Sequence, residues 1–208
     1  MLEQLTDIWE SGFRVFPLYE TRGGKCACGD PDCGAVGKHP VLSGWQTCTA
    51  WSQEQFDNMV EYGQFTTGYG VVCRDLIVID IDPRNGGADS WEQLVEAIPE
   101  ATSAGMIVET GRRDGGRHFY FKAPEGVALL QHLPQYKGID FRSGMTYVVG
   151  AGSMHAVGNE YRVVYGSPDE IEVAPESLIN ALKRPERYRN EYNGTTLDVS
   201  VADVADML

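Results

Sequence analysis

The feature that most constrains the fold is residues 76–82, whose sequence is Leu-Ile-Val-Ile-Asp-Ile-Asp. A β-branched and nearly all-apolar run of this length is typical of a strand that is buried on both faces. The run closes with two acidic residues, Asp80 and Asp82, and the following Pro-Arg-Asn-Gly-Gly sequence ends it sharply. A buried strand that ends in two acids places both carboxylates at the rim of a cleft.

The remaining periodic segments predict more strands than helices, and turn signals between several strands indicate antiparallel pairing. We therefore expect a mixed α/β or α+β fold with one central sheet flanked by helices. A turn signal at Ser143 and Gly144 predicts a hairpin between two short strands. Strands are predicted at residues 13–18, 69–73, 76–82, 106–110, 117–122, 139–142, 146–149 and 161–165, and helices at 2–11, 52–62, 90–98 and 175–183.

Composition is that of an ordinary globular protein, with 42% hydrophobic and 23% charged residues in a chain of 208. No apolar run approaches the roughly 18 residues of a membrane span, and the first residues lack the pattern of a signal peptide. We expect a cytoplasmic protein with no membrane partner. The charged, linker-like residues 185–208 are expected to form an appendage or a connection to a missing region, after one domain at 1–184.

The formal net charge of −13 argues against strong binding to a polyanion, but the charge is unevenly distributed. Residues 101–150 carry six bases and four acids, whereas the segments on either side are acidic. Local charge sets affinity for phosphates more than the total does. Weak, salt-sensitive binding of nucleic acid is the expectation.

Three carboxylates are candidate ligands for a divalent metal ion. The period of two in a strand places Asp80 and Asp82 on one face, and Asp140 lies in a second short strand. Neighbouring carboxylates repel each other unless a cation neutralises them, and Mg²⁺ or Mn²⁺ suits such a set while leaving room for substrate phosphates. The alternative is that Asp80 and Asp82 only mark the polar end of a strand and the start of a turn.

A second candidate site is Gly115-Gly116-Arg117-His118, where a loop enters a strand. Paired glycines allow a backbone to approach phosphate closely, and the histidine or the arginines Arg112 and Arg113 of the same loop could donate to its oxygens. The alternative is an ordinary hairpin with an exposed histidine. His155, in a glycine-rich turn, is either a nucleotide contact or a solvated turn residue.

Cysteines point to a second kind of metal. Cys26, Cys28, Cys33 and His39 supply three thiolates and an imidazole within a polar loop, a donor set that suits structural Zn²⁺. Free surface thiols are the alternative, although clustered exposed thiols are open to oxidation. Cys48 is a reserve ligand, and Cys73, in an apolar strand, is expected in the core.

The order of these motifs resembles the bifunctional DNA primase/polymerase (prim-pol) family of the archaeo-eukaryotic primase superfamily, found in phage and plasmid replication proteins. The resemblance spans about residues 10–166. It rests on the Asp-x-Asp after a buried strand, on Gly-Gly-x-His before an aromatic strand, on Ile-Asp-x-Arg before Tyr-Val-Val-Gly, and on Gly-Lys-His-Pro at 37–40. Superfamily members often have Ser-x-His where this chain has Gly116-Arg117-His118, so one hydroxyl contact is missing.

The resemblance implies an RRM-like sheet with a zinc-knuckle loop at residues 22–40, and a nucleotidyltransferase that makes and extends primers. By the same resemblance, Mg²⁺ or Mn²⁺ would be bound by Asp80, Asp82 and Asp140. Implied partners are a single-stranded DNA template, a primer strand, NTP or dNTP, and a helicase domain in the full-length phage or plasmid protein. The implied nucleotide contacts are His118, Arg142, Arg112 or Arg113, Lys38 and Ser143.

Two other functions fit the same residues. Clustered acids with a zinc knuckle also suit a metal-dependent nuclease, although a Glu-x-Lys strand motif is missing. A non-catalytic module that binds template or origin DNA would depend on the arginines and the zinc ligands rather than on the aspartates.

Overall fold

The computed structural model describes residues 1–47 and 50–184 as an α+β fold. Cys48 and the predicted appendage at 185–208 lie outside the described residues. The helices are α1 (Leu2–Glu10), α2 (Gln53–Glu61), α3 (Gly87–Ala97) and α4 (Glu176–Leu182). The strands are β1 (Val15–Pro17), β2 (Thr21–Arg22), β3 (Lys25–Cys26), β4 (Tyr69–Val72), β5 (Leu76–Ile81), β6 (Met106–Glu109), β7 (Arg117–Lys122), β8 (Ile139–Ser143), β9 (Tyr147–Val149) and β10 (Arg162–Gly166).

The main sheet has five strands in the order β10-β6-β7-β5-β8, and every neighbouring pair is antiparallel. One of its interior strands, β5, is the predicted apolar run, and it lies between β7 and β8. In this register Asp80 is opposite His118 on one side and Asp140 on the other. Residues that are directly opposite in an antiparallel pair point to the same face, so the three side chains share one face of the sheet.

The five-stranded sheet is the predicted central sheet, and a second sheet of three strands, β1-β4-β9, was not predicted. The hairpin expected around Ser143 and Gly144 is not formed, because β8 pairs with β5 whereas β9 pairs with β4. The chain leaves the main sheet at this turn and enters the smaller one. Alternation of apolar residues marks a strand without naming its partner, and both partners here are distant in sequence.

Each face of the main sheet has its own core. The face that carries Val78 and Tyr120 packs against the smaller sheet and α1, and the face that carries Ile79 and Phe119 packs against α3 and α4. Full burial of one such side chain stabilises the fold by roughly 1.5–3 kcal/mol. Cys73 is completely buried in the first core, as expected. Asp80 therefore lies at the polar end of a face whose remainder is sealed between two sheets.

Local signals explain where α2 and α3 begin. Ser52 starts α2 with a capping box, in which its hydroxyl accepts from the Gln55 N–H and the Gln55 side chain accepts from the Ser52 N–H. Gly86, with φ of 89°, lies between the turn after β5 and the first residue of α3. Among residues 1–47 and 50–184 we find no helix of the length and apolarity that a bilayer crossing requires.

Candidate active site and metal-binding loop

A cavity of about 310 Å³ lies at the edge of the sheet where β5 ends and β7 and β8 begin. Its wall alternates carboxylates with cationic and imidazole side chains, which suits a polyanion bound together with cations. The charged and imidazole residues that line it are Lys38, Asp80, Asp82, Arg84, Arg112, Asp114, His118, Asp140, Arg142 and His155.

Asp80 is the central carboxylate of this cavity. Its Oδ1 lies 3.4 Å from His118 Nε2, and its Oδ2 lies 3.6 Å from Arg142 Nε. Burial by itself would raise the pKa of Asp80, but His118 and the positive charges of Arg142 and Lys38 outweigh it and lower the pKa to about 2. The carboxylate is therefore ionised at neutral pH, and 26% of the side chain remains exposed.

Asp140 joins the same charge network through Arg142, two residues further along β8. Arg142 Nη2 lies 2.6 Å from Asp140 Oδ2, so one guanidinium contacts both Asp80 and Asp140. No role was predicted for His132 from the sequence. Its Nδ1 lies 3.9 Å from Asp140 Oδ1, and its backbone forms an isolated antiparallel β-bridge with Asp140.

Asp82 lies just beyond β5 and has two surroundings at once. Its carboxylate accepts hydrogen bonds from the backbone and guanidinium of Arg84 and from the Asn85 amide, which holds the turn at Pro83–Asn85. The side chain also lines the cavity. The turn role that the sequence offered as an alternative is thus present, together with exposure to the cavity.

The three aspartates all line one cavity, but they are not tightly packed together. Among the described residues, the group of three or more potential metal ligands that lie within 4.8 Å of one another is the cysteine cluster, not the aspartates. Mg²⁺ commonly takes one or two carboxylates and completes its shell with water and substrate phosphates. Asp80 and Asp140, opposite each other on paired strands, fit that mode of binding, with Asp82 at the rim.

His118 is buried, with 4% of its surface exposed, so the alternative of an exposed hairpin histidine is wrong. Its Nε2 faces Asp80, and its Nδ1 is buried without a hydrogen-bond partner among the described residues. The turn between β6 and β7 allows this placement because residue 116 is glycine. The surroundings of that position have no room for a side chain. A Cβ there would lie 2.7 Å from Thr110 Oγ1 and 3.2 Å from the Ile81 carbonyl oxygen.

The two loop arginines differ in position. Arg112 lines the cavity, with its Nε 3.8 Å from Asp114 Oδ2, whereas Arg113 has φ of 61° and binds Glu109 through a 2.8 Å contact away from the cavity. Ser143 is not brought to the cavity either. It is buried on the face of β8 opposite Arg142, because successive residues of a strand point to opposite faces.

His155 is buried rather than solvated, and it lines the cavity. Its Nδ1 accepts the Val157 N–H at 3.1 Å, so the neutral ring carries its hydrogen on Nε2. Burial, with the positive charges of Arg112 and Lys38, lowers the pKa of His155. A neutral donor is therefore available beside the cationic residues.

Several cavity residues carried no strong signal in the sequence. Arg84 and Asp114 form a 3.7 Å ion pair on the cavity wall, and Thr110 and Tyr161 also line the cavity. Arg84 could have been found, because it follows Asp82 within one turn. Asp114 and Thr110 depend on the folding of the β6–β7 loop over the end of β5.

The predicted zinc ligands form one cluster. The donor atoms of Cys26, Cys28, Cys33 and His39 all lie within 4.8 Å of one another, and His39 Nδ1 is 3.3 Å from Cys33 Sγ and 3.7 Å from Cys26 Sγ. A tetrahedral ion with bonds of about 2.0–2.3 Å leaves its ligands at comparable separations. The donor set and the spacing both fit Zn²⁺ as a closed, structural site.

The fold and the cavity together define a class: an α+β domain whose main sheet ends in a cleft lined by carboxylate, cationic and imidazole side chains. The chain belongs to the bifunctional DNA primase/polymerase family, because the profile of that family's N-terminal domain matches residues 5–177. A comparison with curated proteins gave no match. The matched range includes every cavity residue and the cysteine cluster. Family membership supports a DNA primase/polymerase function, and with it the binding of DNA and nucleotides.

Proposed function

We propose that this domain synthesises and extends primers by template-directed nucleotidyl transfer, with two Mg²⁺ or Mn²⁺ ions held by Asp80, Asp82 and Asp140. The observation that supports it is the convergence of these carboxylates with His118 in one cavity of a prim-pol family chain. The catalytic domain would be residues 1–184, and the substrates a single-stranded DNA template, a primer strand and NTP or dNTP. Phage or plasmid replication, with a helicase elsewhere in the full-length protein, is part of this proposal.

Each cavity residue has a role that follows from its charge and position. Asp80 stays ionised at neutral pH. The carboxylates of Asp80, Asp140 and Asp82 would supply hard oxygen ligands. Ions held by these carboxylates would supply activation of the primer 3′-hydroxyl and neutralisation of the charge on the triphosphate and the leaving pyrophosphate. His118, fixed by Asp80, would donate to the phosphates of the incoming nucleotide.

The cationic side chains would bind and orient the triphosphate. Arg142 contacts Asp80 and Asp140, so phosphates that approach these carboxylates also meet its planar guanidinium. Arg112 and Lys38 line other parts of the same wall. Catalysis of phosphoryl transfer depends mainly on such positioning and charge stabilisation.

The test is primer extension by the purified protein with Mn²⁺ or Mg²⁺, a primed DNA template and dNTPs. Asp80→Asn and Asp140→Asn should each lower incorporation by roughly 10²–10³-fold, because each removes a charge at the reacting centre. Asp75→Asn is the matched control, because Asp75 immediately precedes the first residue of β5, at the end of that strand away from the cavity. Its side chain is 62% exposed, and its ion pair with Arg14 spans 3.8 Å, so this pair contributes little to stability. This variant should extend primers at the wild-type rate.

Other outcomes would point to the competing functions. Degradation of labelled DNA without added nucleotides, lost in Asp80→Asn, would identify a nuclease. DNA binding without incorporation under either metal, unchanged in both aspartate variants, would identify a non-catalytic module. Equal incorporation by wild-type protein and Asp80→Asn would contradict the proposed mechanism.

A further inference from the structure

We propose that the knuckle, residues 22–40, positions a nucleotide-binding side chain in the cavity. A zinc ion on its Cys₃His ligands fixes Lys38, so that the Lys38 ammonium binds the phosphates of the incoming nucleotide. This inference rests on the proposed function, because it assumes that the cavity takes a triphosphate. It differs from a purely structural zinc site, and from a knuckle that contacts only the template.

The first observation is the position of Lys38 between the two sites. It is the chain neighbour of the ligand His39, and its side chain lines the cavity. Its backbone is tied on both sides, because its N–H donates to the Ala35 carbonyl at 2.8 Å and its carbonyl accepts from the Tyr147 hydroxyl. The cavity that Lys38 lines is also lined by Asp80 and His155.

The second observation is a close backbone approach on the other side of Lys38. A Cβ at Gly37 would lie 3.1 Å from the Met154 carbonyl oxygen and 3.3 Å from the Ala156 N–H nitrogen. Gly37 also has φ of 75°. The end of the knuckle therefore packs directly against the turn that carries His155. Lys38 and His155 are thus held in place by the same contact.

The third observation is that the knuckle has little apolar packing of its own. The strands β2 and β3 have two residues each, and residues 22–34 contribute no side chain to either core. A polar loop that buries so little surface does not offset the conformational entropy lost on ordering. Metal ligation supplies that free energy in small knuckles, so loss of the ion should release residues 22–39.

Together these contacts predict how the ion acts on the substrate. A lysine on a flexible stem binds a phosphate more tightly when its backbone is already fixed, because less freedom is lost on binding. Removal of the metal should therefore act on triphosphate affinity in the same way as removal of the Lys38 ammonium.

The experiment measures the equilibrium binding of dATP with Mg²⁺ by wild-type protein, Lys38→Ala, Cys33→Ser and the double variant, together with zinc content and melting temperature. Lys38→Ala should weaken binding about tenfold with zinc retained, since one charge-assisted contact is lost. Cys33→Ser should lose zinc and weaken binding by a similar factor, and the double variant should be no weaker than either. Lys25→Ala, an exposed lysine of the same loop, is the control and should bind as wild type.

A second measurement does not require nucleotide binding. Hydrogen exchange of the wild-type protein is compared before and after zinc is removed by a chelator, and again after zinc is restored. Residues 35–39 and 153–158 should exchange faster without zinc, while β5 stays protected. Because it uses the wild-type protein, this measurement also tests the inference if Cys33→Ser fails to fold.

Three results would overturn the inference. One is zinc loss with unchanged dATP affinity. Another is a double variant whose defect is the product of the two single defects. The third is unchanged exchange at residues 153–158 after zinc removal. If wild-type protein fails to bind dATP while exchange responds as predicted, the proposed function fails and the mechanical link between knuckle and cavity stands.

Discussion

Arg112 and Arg113 are adjacent in sequence, yet only the first faces the cavity. Arg113 takes a left-handed backbone conformation and pairs with Glu109, which also binds Arg162 at 3.0 Å. Surface ion pairs of this kind contribute little free energy. The two arginines therefore offer a matched pair for separating nucleotide binding from general surface charge.

We predict that Arg112→Gln raises the KM for dNTP by roughly tenfold or more, because a guanidinium contact to phosphate is lost. Arg113→Gln removes the same charge from the same loop and leaves the cavity wall intact, so its KM should stay within about twofold of wild type. Steady-state primer extension at fixed template concentration measures both. Equal effects of the two substitutions would show that loop charge alone, and not position, governs nucleotide binding.

At the scale of single residues, the sequence could predict what depends on local geometry. Two acids spaced by two at the end of an apolar strand implied neighbouring side chains, and the structure places both at one cavity. The same period of two, applied to β8, puts Asp140 and Arg142 on one face and Ser143 on the other, so the position of Ser143 was predictable. The burial of His118 and His155 was not, because it is created by segments far away in the chain.

At the scale of elements, two loops form the cavity by packing on each other. Gly111, at the end of β6, lies against the turn that carries His155, and a Cβ at Gly111 would lie 2.4 Å from His155 Cβ and 2.6 Å from the Asn159 carbonyl oxygen. Neither atom belongs to the flexible end of a side chain. The loop that carries Arg112 and the turn that carries His155 therefore keep their relative position only with glycine at position 111.

We predict that Gly111→Ala lowers stability by about 1–3 kcal/mol through overpacking, which is roughly 3–10 °C in melting temperature for a chain of this size. The dATP affinity should fall as well, because the two loops separate. Gly34→Ala is the control, since a Cβ at Gly34 meets nothing within 4 Å and its φ is not positive. Thermal melting and dATP binding are measured on both. An unchanged melting temperature for Gly111→Ala would contradict the close packing of these loops.

Most elements could be predicted from apolar periodicity and turn residues, but their partners could not. The segment at β9 was identified as a strand, and its assignment to a hairpin with β8 was wrong because both strands find better-buried partners elsewhere. β4 pairs with β1 on one side and β9 on the other, at sequence separations of more than fifty residues. Such pairings are selected by the packing of whole layers, which no local pattern records.

At the scale of the whole molecule, the electrostatics combine an acidic chain with a cavity wall on which basic side chains and carboxylates are present in equal number. The chain carries 30 acids and 17 bases, so a DNA strand is repelled by most of the surface. The region around the cavity is where attraction is expected, because Lys38, Arg84, Arg112 and Arg142 lie together there. Binding of template should therefore involve few phosphates.

We predict that affinity for single-stranded DNA falls by roughly 20- to 50-fold between 50 and 200 mM salt. Such a decrease corresponds to about three or four neutralised phosphates, given a slope near −0.7 per phosphate for single strands. Fluorescence anisotropy with a labelled oligonucleotide over a salt series measures the slope, and Arg142→Gln should reduce it by about one phosphate equivalent. Asp75→Asn, which alters charge at the far end of the sheet, should leave the slope unchanged. A slope near zero would mean that contacts other than phosphate neutralisation hold the template, and a slope matching eight or more phosphates would require a second basic surface outside the cavity.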